Sequence, residues 1–127
     1  MIRIAIDPYP PLDQLNALFH DTWPGQAPSY DSEVLPRSLA HVAAYDGGRL
    51  VGFANVAWDG GAHAFMLDVT VAMAQRRKGL GSMIVKAAAD TARERGAEWL
   101  HVDFESHIEA FYRACGFTQT AAGLMRL

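Results

Sequence analysis

The run 63-HAFMLDVTVAMAQRRKGLGSMIVKAAADTARERG-96 changes character twice within one short span. Its first part, 63-HAFMLDVTV-71, is rich in residues that suit a half-buried pleated surface and reads as a strand. From about Leu80 to Arg95 the spacing becomes helical. Leu80, Ile84, Ala87, Ala88 and Thr91 fall on one side, Lys86, Asp90, Arg93 and Glu94 on the other, and Gly96 is a suitable stop. Between them stands 75-QRRKGLGS-82, where Arg76, Arg77 and Lys78 run into Gly79 and Gly81. A further strand, 98-EWLHVDFE-105, follows. A strand–helix–strand unit needs a crossover, so strands 63–71 and 98–105 are expected to be parallel neighbours.

Upstream, 41-HVAAY-45, 49-RLVGFANVAW-58 and 63–71 form a meander joined by 46-DGG-48 and 59-DGG-61, since Asp-Gly and Gly-Gly between apolar runs signal hairpins. Residues 2–6 read as a strand, and Leu12, Leu15, Leu18 and Phe19 as a helix entered at Pro11 and ending near Asp21. The segment 22–41 is irregular, with short helical turns divided at Pro36. Downstream, 107-HIEAFYRAC-115 reads as a short helix closed by Gly116, and 117-FTQTAAGLMRL-127 as a last strand. The expected class is α/β: a mixed sheet of six to seven strands, mostly antiparallel with a central parallel pair, and helices on both faces.

At 127 residues the chain fits one domain, 1–127. A formal net charge of -3, from 14 acids and 11 bases, argues against a nucleic-acid partner. No segment approaches the roughly 20 apolar residues of a membrane span, the N-terminus does not read as a signal peptide, and Cys115 is the only cysteine. No membrane, no metal and a cytoplasmic location are therefore expected. The basic cluster is local and points to a small anion. A strand-to-helix turn presents backbone N–H groups at a helix N-terminus, where the dipole favours anions. Glycines at 79 and 81 would keep side chains away from those donors. The spacing matches neither a Walker A loop nor the G-x-G-x-x-G fingerprint.

The run 69-VTVAMAQRRKGLGSMIV-85 resembles the acyl-CoA signature of the GNAT N-acetyltransferase superfamily, with Arg76, Gly79 and Gly81 at its Arg/Gln-x-x-Gly-x-Gly/Ala positions. The block 111-FYRACGF-117 resembles the family's Phe-Tyr-x-x-x-Gly-Phe. The resemblance implies an acetyl-CoA-dependent N-acetyltransferase in which a primary amine, on a small molecule or a peptide, attacks the thioester directly. It implies that Val69 and Val71, on a bulged strand, offer main-chain groups to pantetheine. Arg76, Arg77, Lys78, Gly79, Leu80, Gly81 and Ser82 would hold the phosphates, mostly through backbone N–H. Tyr112 takes the position of the acid that protonates the departing thiolate, and a backbone N–H near Val71 that of the oxyanion donor. For the base, Asp68 ranks ahead of Asp103 and Glu105, which share a strand face with His101. Trp23, Phe19 and Tyr30 are expected as an apolar wall for the acceptor, and Trp58 and Trp99 at core or sheet-face positions. Glu105 stands where relatives carry Asn, and Met73 where they carry Pro. Relatives are frequently dimers, so a homodimer is a possible assembly. A non-catalytic acyl-CoA-binding or regulatory module of the same fold is the alternative.

Overall fold

The computed structural model describes residues 1–127. Strands β1 (Ile2–Ile6), β2 (Ala40–Asp46), β3 (Arg49–Trp58), β4 (His63–Val71) and β5 (Trp99–Val102) lie in that order across one sheet. Every pairing is antiparallel except β4–β5, which is parallel as the crossover requires. The helices are α1 (Leu12–Thr22), α2 (Leu80–Glu94) and the short α3 (Glu109–Ala114).

Alternation along the central strands sends side chains to two cores. Val42, Ala44, Ala54, Val56, Ala64 and Met66 face α2, which contributes Leu80, Ile84, Val85, Ala88 and Ala92. Ala43 and Phe53 turn the other way, toward Leu15, Leu18 and Phe19 of α1. Helices therefore cover both faces. Ile84 and Phe53 are fully buried, each contributing about 1.5–3 kcal/mol of transfer free energy. At Gly52 the helix comes so close that an added Cβ would stand 2.5 Å from Ile84 Cδ1. The Asp-Gly-Gly turns form where expected, and Asp59 Oδ1 accepts the N–H groups of Gly61 and His63.

The β1 edge of the sheet is tied by Asp7. Its carboxylate accepts from His41 N and Arg95 Nη1, while Arg95 also donates to Leu39 O. His41, 1 % exposed, accepts the Tyr9 N–H on Nε2. No helix is long and apolar enough to cross a membrane.

Three expectations change. The sheet has five strands, not six or seven, because residues 117–127 form none. Beyond Phe117 the stretch 118-TQTAAG-123 has no large apolar side chain to bury, so nothing offsets the entropy of ordering it, and Leu124, Met125 and Leu127 stand exposed. Strand β5 ends at Val102 rather than Glu105, where its neighbour turns away. Pro36 lies inside a single 3₁₀ turn, Leu35–Arg37, instead of dividing two turns. Of the core or sheet-face positions expected for Trp58 and Trp99, the structure gives exposed places on β3 and β5, at 38 % and 65 %, and the Trp58 indole N–H donates to Gly61 O.

Candidate active site

The site begins with a fault in β4. Leu67 pairs with Asn55 and Thr70 with Phe53, so Asp68 and Val69 together oppose the single residue Ala54. This is a β-bulge, and Asp68 takes the positive φ of 56° that such an insertion demands. A bulge bends its strand. Pairing with β5 stops at Met66 and Val102, and the two parallel strands part beyond that point.

The divergence leaves one edge of β4 without a partner. Ala72 N donates to Val51 O at 2.8 Å, so Ala72 and, by alternation, Thr70 direct their main-chain groups to β3. Val69 and Val71 turn theirs to the open side. A depression of about 160 Å³ lies along this stretch, lined by Val69, Thr70, Val71 and Arg76 and closed by Thr22, Trp23 and Pro24 at the end of α1. Trp23 is held there by its indole N–H donating to Thr70 Oγ1 at 3.0 Å.

Helix α2 starts at the foot of this edge. The amides of Arg77, Lys78, Gly79, Leu80, Gly81 and Ser82 donate to no carbonyl of the chain, and no side chain caps the helix. The two glycines serve different ends. Gly79 is the N-cap at φ 81°, and an added Cβ would meet nothing within 4 Å. Gly81 is a packing glycine, since its Cβ would stand 3.2 Å from Phe111 Cζ and 3.7 Å from Val71 Cγ2. Thus β4, α2 and α3 meet at Gly81. Arg76, Arg77 and Lys78 are exposed, and none pairs with a carboxylate. Arg76 Nε lies 3.5 Å from Val71 O, and Arg77 is turned outward at φ 63°.

Tyr112, 6 % exposed, is stacked on Phe104 with ring centroids 5.1 Å apart and flanked edge-on by Phe111 and Phe117. Its hydroxyl has no hydrogen-bond partner within the chain, yet no buried polar atom is left unsatisfied. The oxygen therefore reaches the surface of the aromatic cluster. Burial, with a smaller contribution from Cys115, pushes the phenol up from its ordinary value and keeps the proton on at neutral pH.

Asp68 faces a different partner. Tyr30 Oη donates to Asp68 Oδ2 at 2.5 Å. Behind it Asn55 Nδ2 donates to Tyr30 Oη at 3.2 Å and Ser38 Oγ to Asn55 Oδ1 at 2.5 Å. Asn16 of α1 clamps the Tyr30 backbone from both sides, at 2.8 and 3.0 Å. Burial first, then the bond to Asp68, pushes the Tyr30 phenol far above its ordinary value, so it remains a donor.

The matches to known proteins agree with this geometry. The model of the acetyltransferase (GNAT) family matches residues 6–117. The chain belongs to the GNAT acetyltransferase family. A mycothiol acetyltransferase of Nocardia farcinica is 32 % identical over 83 residues, 62 % of this chain and 27 % of that protein. A streptothricin acetyltransferase of Streptomyces lavendulae is 38 % identical over 84 residues, 63 % of this chain and 44 % of that protein. The chain thus spans less than half the length of either relative. A GNAT-family acetyltransferase structure from Streptococcus pneumoniae superposes with a TM-score of 0.80 at 25 % identity, covering 100 % of this chain and 98 % of that one.

Within this GNAT chain, the fold lines Val69, Val71 and Arg76 along one depression and packs Gly81 of the turn against Val71 and Phe111. Asp103 and Glu105 lie beyond the end of β5, exposed, so the shared strand face expected for them is absent. His101 is occupied elsewhere, 2.8 Å from His63 Nδ1 and stacked on Phe65. Phe19 and Tyr30 are buried in the α1 core rather than forming an open apolar wall. The polar work of Tyr30, Asn55 and Asn16, and the contact of Phe111 with Gly81, carry no local sequence signal, because each depends on a partner distant in the chain.

Proposed function

We propose that this protein is an acetyl-CoA-dependent N-acetyltransferase acting on a primary amine. The observation that carries the reading is the run of six unpartnered amides, Arg77 to Ser82, at the foot of the unpaired β4 edge. Those donors suit a pyrophosphate, and the open side of Val69 and Val71 suits the amides of an extended pantetheine arm in the manner of an added strand. Arg76, Arg77 and Lys78 add positive field, since no carboxylate neutralises any of them.

Acetyl-CoA supplies an acetyl thioester as donor. The amine nitrogen forms the new bond to the carbonyl carbon, the carbon–sulfur bond breaks, and the amine loses one proton. The backbone N–H near Val71 faces the open side and is the donor assigned to the oxyanion. Tyr112 gives its proton to the departing thiolate and recovers one from solvent. Asp68 receives the ammonium and passes one proton on through water to give the free amine, and the proton lost from nitrogen after attack goes to solvent, from which Tyr112 is replenished.

The test is titration of acetyl-CoA into wild type and Ser82→Glu, with CoA-thiol release measured against a panel of amines and peptides. Ser82 is exposed in the first turn of α2, so a carboxylate there favours the helix. It should nevertheless weaken acetyl-CoA binding by about tenfold or more, through repulsion of the phosphates. Unchanged affinity in Ser82→Glu sinks the assignment of the turn. Tight acetyl-CoA binding without turnover of any amine would favour the non-catalytic module.

A further inference from the structure

Tyr30 lies on an irregular segment far from the signature residues, yet its hydroxyl makes the one side-chain hydrogen bond to Asp68. The direction of every bond behind it is determined. A carboxylate only accepts, so Tyr30 must donate to Asp68 Oδ2. The Tyr30 oxygen is then left to accept, so Asn55 presents its amide NH₂ to it, and the Asn55 carbonyl oxygen must accept from Ser38. Three donors thus point in series at one carboxylate oxygen. Asp68 Oδ1 has no partner in the chain. The tyrosine cannot drift, because Asn16 holds its backbone N–H and C=O and its ring packs between Phe19 and Phe53 at 5.1 and 5.9 Å.

We infer that Tyr30 is a positioning residue: it occupies one oxygen of Asp68, so that the other is the single acceptor presented to the ammonium group of the acceptor substrate. This deepens the amine-acetylation reading above and rests on it. A donor chain aligned in this way orients each of its bonds toward the one carboxylate oxygen. Burial keeps the Tyr30 proton in place, so the chain does not reverse under the conditions of the reaction. The arrangement recognises a cationic primary amine and discriminates against a neutral acceptor such as an alcohol, which brings no compensating charge.

The test uses the acetyl-CoA-saturated protein titrated calorimetrically with three probe amines: spermidine, a lysine-containing tetrapeptide amide and kanamycin. Asp68→Asn and Tyr30→Phe are each expected to weaken the best of the three by about tenfold or more, the scale of a charge-assisted hydrogen bond. The double variant should bind no more weakly than Asp68→Asn alone, because both changes act through the same carboxylate. A merely structural role for Tyr30 would instead give effects that multiply. Acetyl-CoA affinity should stay within about twofold of wild type in all three variants. If Tyr30→Phe does not fold, Ser38→Ala tests the far end of the chain, with an expected loss of about threefold and the same lack of additivity. Multiplicative effects, an unchanged amine affinity in Tyr30→Phe, or no binding of any probe by wild type each overturn the inference. Failure of wild type to bind acetyl-CoA is a separate result, and it removes the acetyltransferase reading as well.

Discussion

Substitutions at Gly81 separate a packing glycine from a ligand-clearing one. Its missing Cβ faces Phe111 at 3.2 Å and Val71 at 3.7 Å. Alanine there requires Phe111, half-buried on a helix of six residues, to move by a few tenths of an ångström. That costs well under about 1 kcal/mol. Replacing glycine within α2 returns about 0.5–1 kcal/mol of helix propensity. Gly81→Ala is therefore expected to leave urea-unfolding stability unchanged or slightly raised, with acetyl-CoA affinity within about twofold, since its backbone N–H is retained. Gly81→Leu has no such room. Overpacking should cost about 1–3 kcal/mol and displace α3, and with it Tyr112, so turnover falls more than acetyl-CoA affinity. Adding Phe111→Ala to Gly81→Leu should recover about 1 kcal/mol relative to the sum of the single changes. The reasoning is refuted if Gly81→Ala lowers acetyl-CoA affinity tenfold or more in a protein of wild-type stability, because the methyl would then meet the ligand and not Phe111.

Tyr112→Phe removes a hydroxyl with no partner in the chain, so stability and acetyl-CoA affinity should be unaffected while CoA release slows by about 10²-fold or more; an unchanged rate would remove Tyr112 as the acid. His41 is held below its ordinary value of 6.5, first by burial, with Asp7 opposing and Arg95 assisting. A base depressed in the folded state contributes stability that is fully present above its unfolded value and lost as pH falls toward its folded value. Thermal unfolding followed from pH 7.5 downward should therefore show stability falling below about pH 6.5, the unperturbed histidine value, and His41→Gln should flatten that limb. Gly52→Ala drives a methyl against Ile84 Cδ1 and should cost about 1–3 kcal/mol in urea unfolding. Ile84→Val removes that atom and should make the double variant more stable than the sum of the two single changes.

Much of the fold was legible in local pattern. The Asp-Gly-Gly turns, the alternation of 49-RLVGFANVAW-58 and the helical spacing after Gly79 depend on neighbours within a few residues, so the β2–β3–β4 meander and α2 follow from the sequence. The parallel β4–β5 pair followed from the crossover rule. The last strand was misread because a terminal stretch of mixed polarity forms a strand only if something covers it, and nothing local says whether it is covered. The site was legible where it is built from backbone: a run of unpartnered amides follows from a turn entering a helix, whatever surrounds it.

The sequence by itself determined the glycine turn, the strand that leads into it and the family to which the chain belongs, because these are written in contiguous residues with characteristic spacing. Only the tertiary structure decided where the carboxylates stand. Asp68, Asp103 and Glu105 are equivalent as letters. The bulge turned Asp68 toward Tyr30, and the early end of β5 left the other two in solvent. Likewise Gly79 and Gly81 look alike in the motif, yet one supplies a positive φ and the other makes room for a ring thirty residues away. The reason is the same in both cases: a side chain's chemistry is set by its nearest neighbours in space, and here those neighbours come from segments that the chain brings together only when it folds.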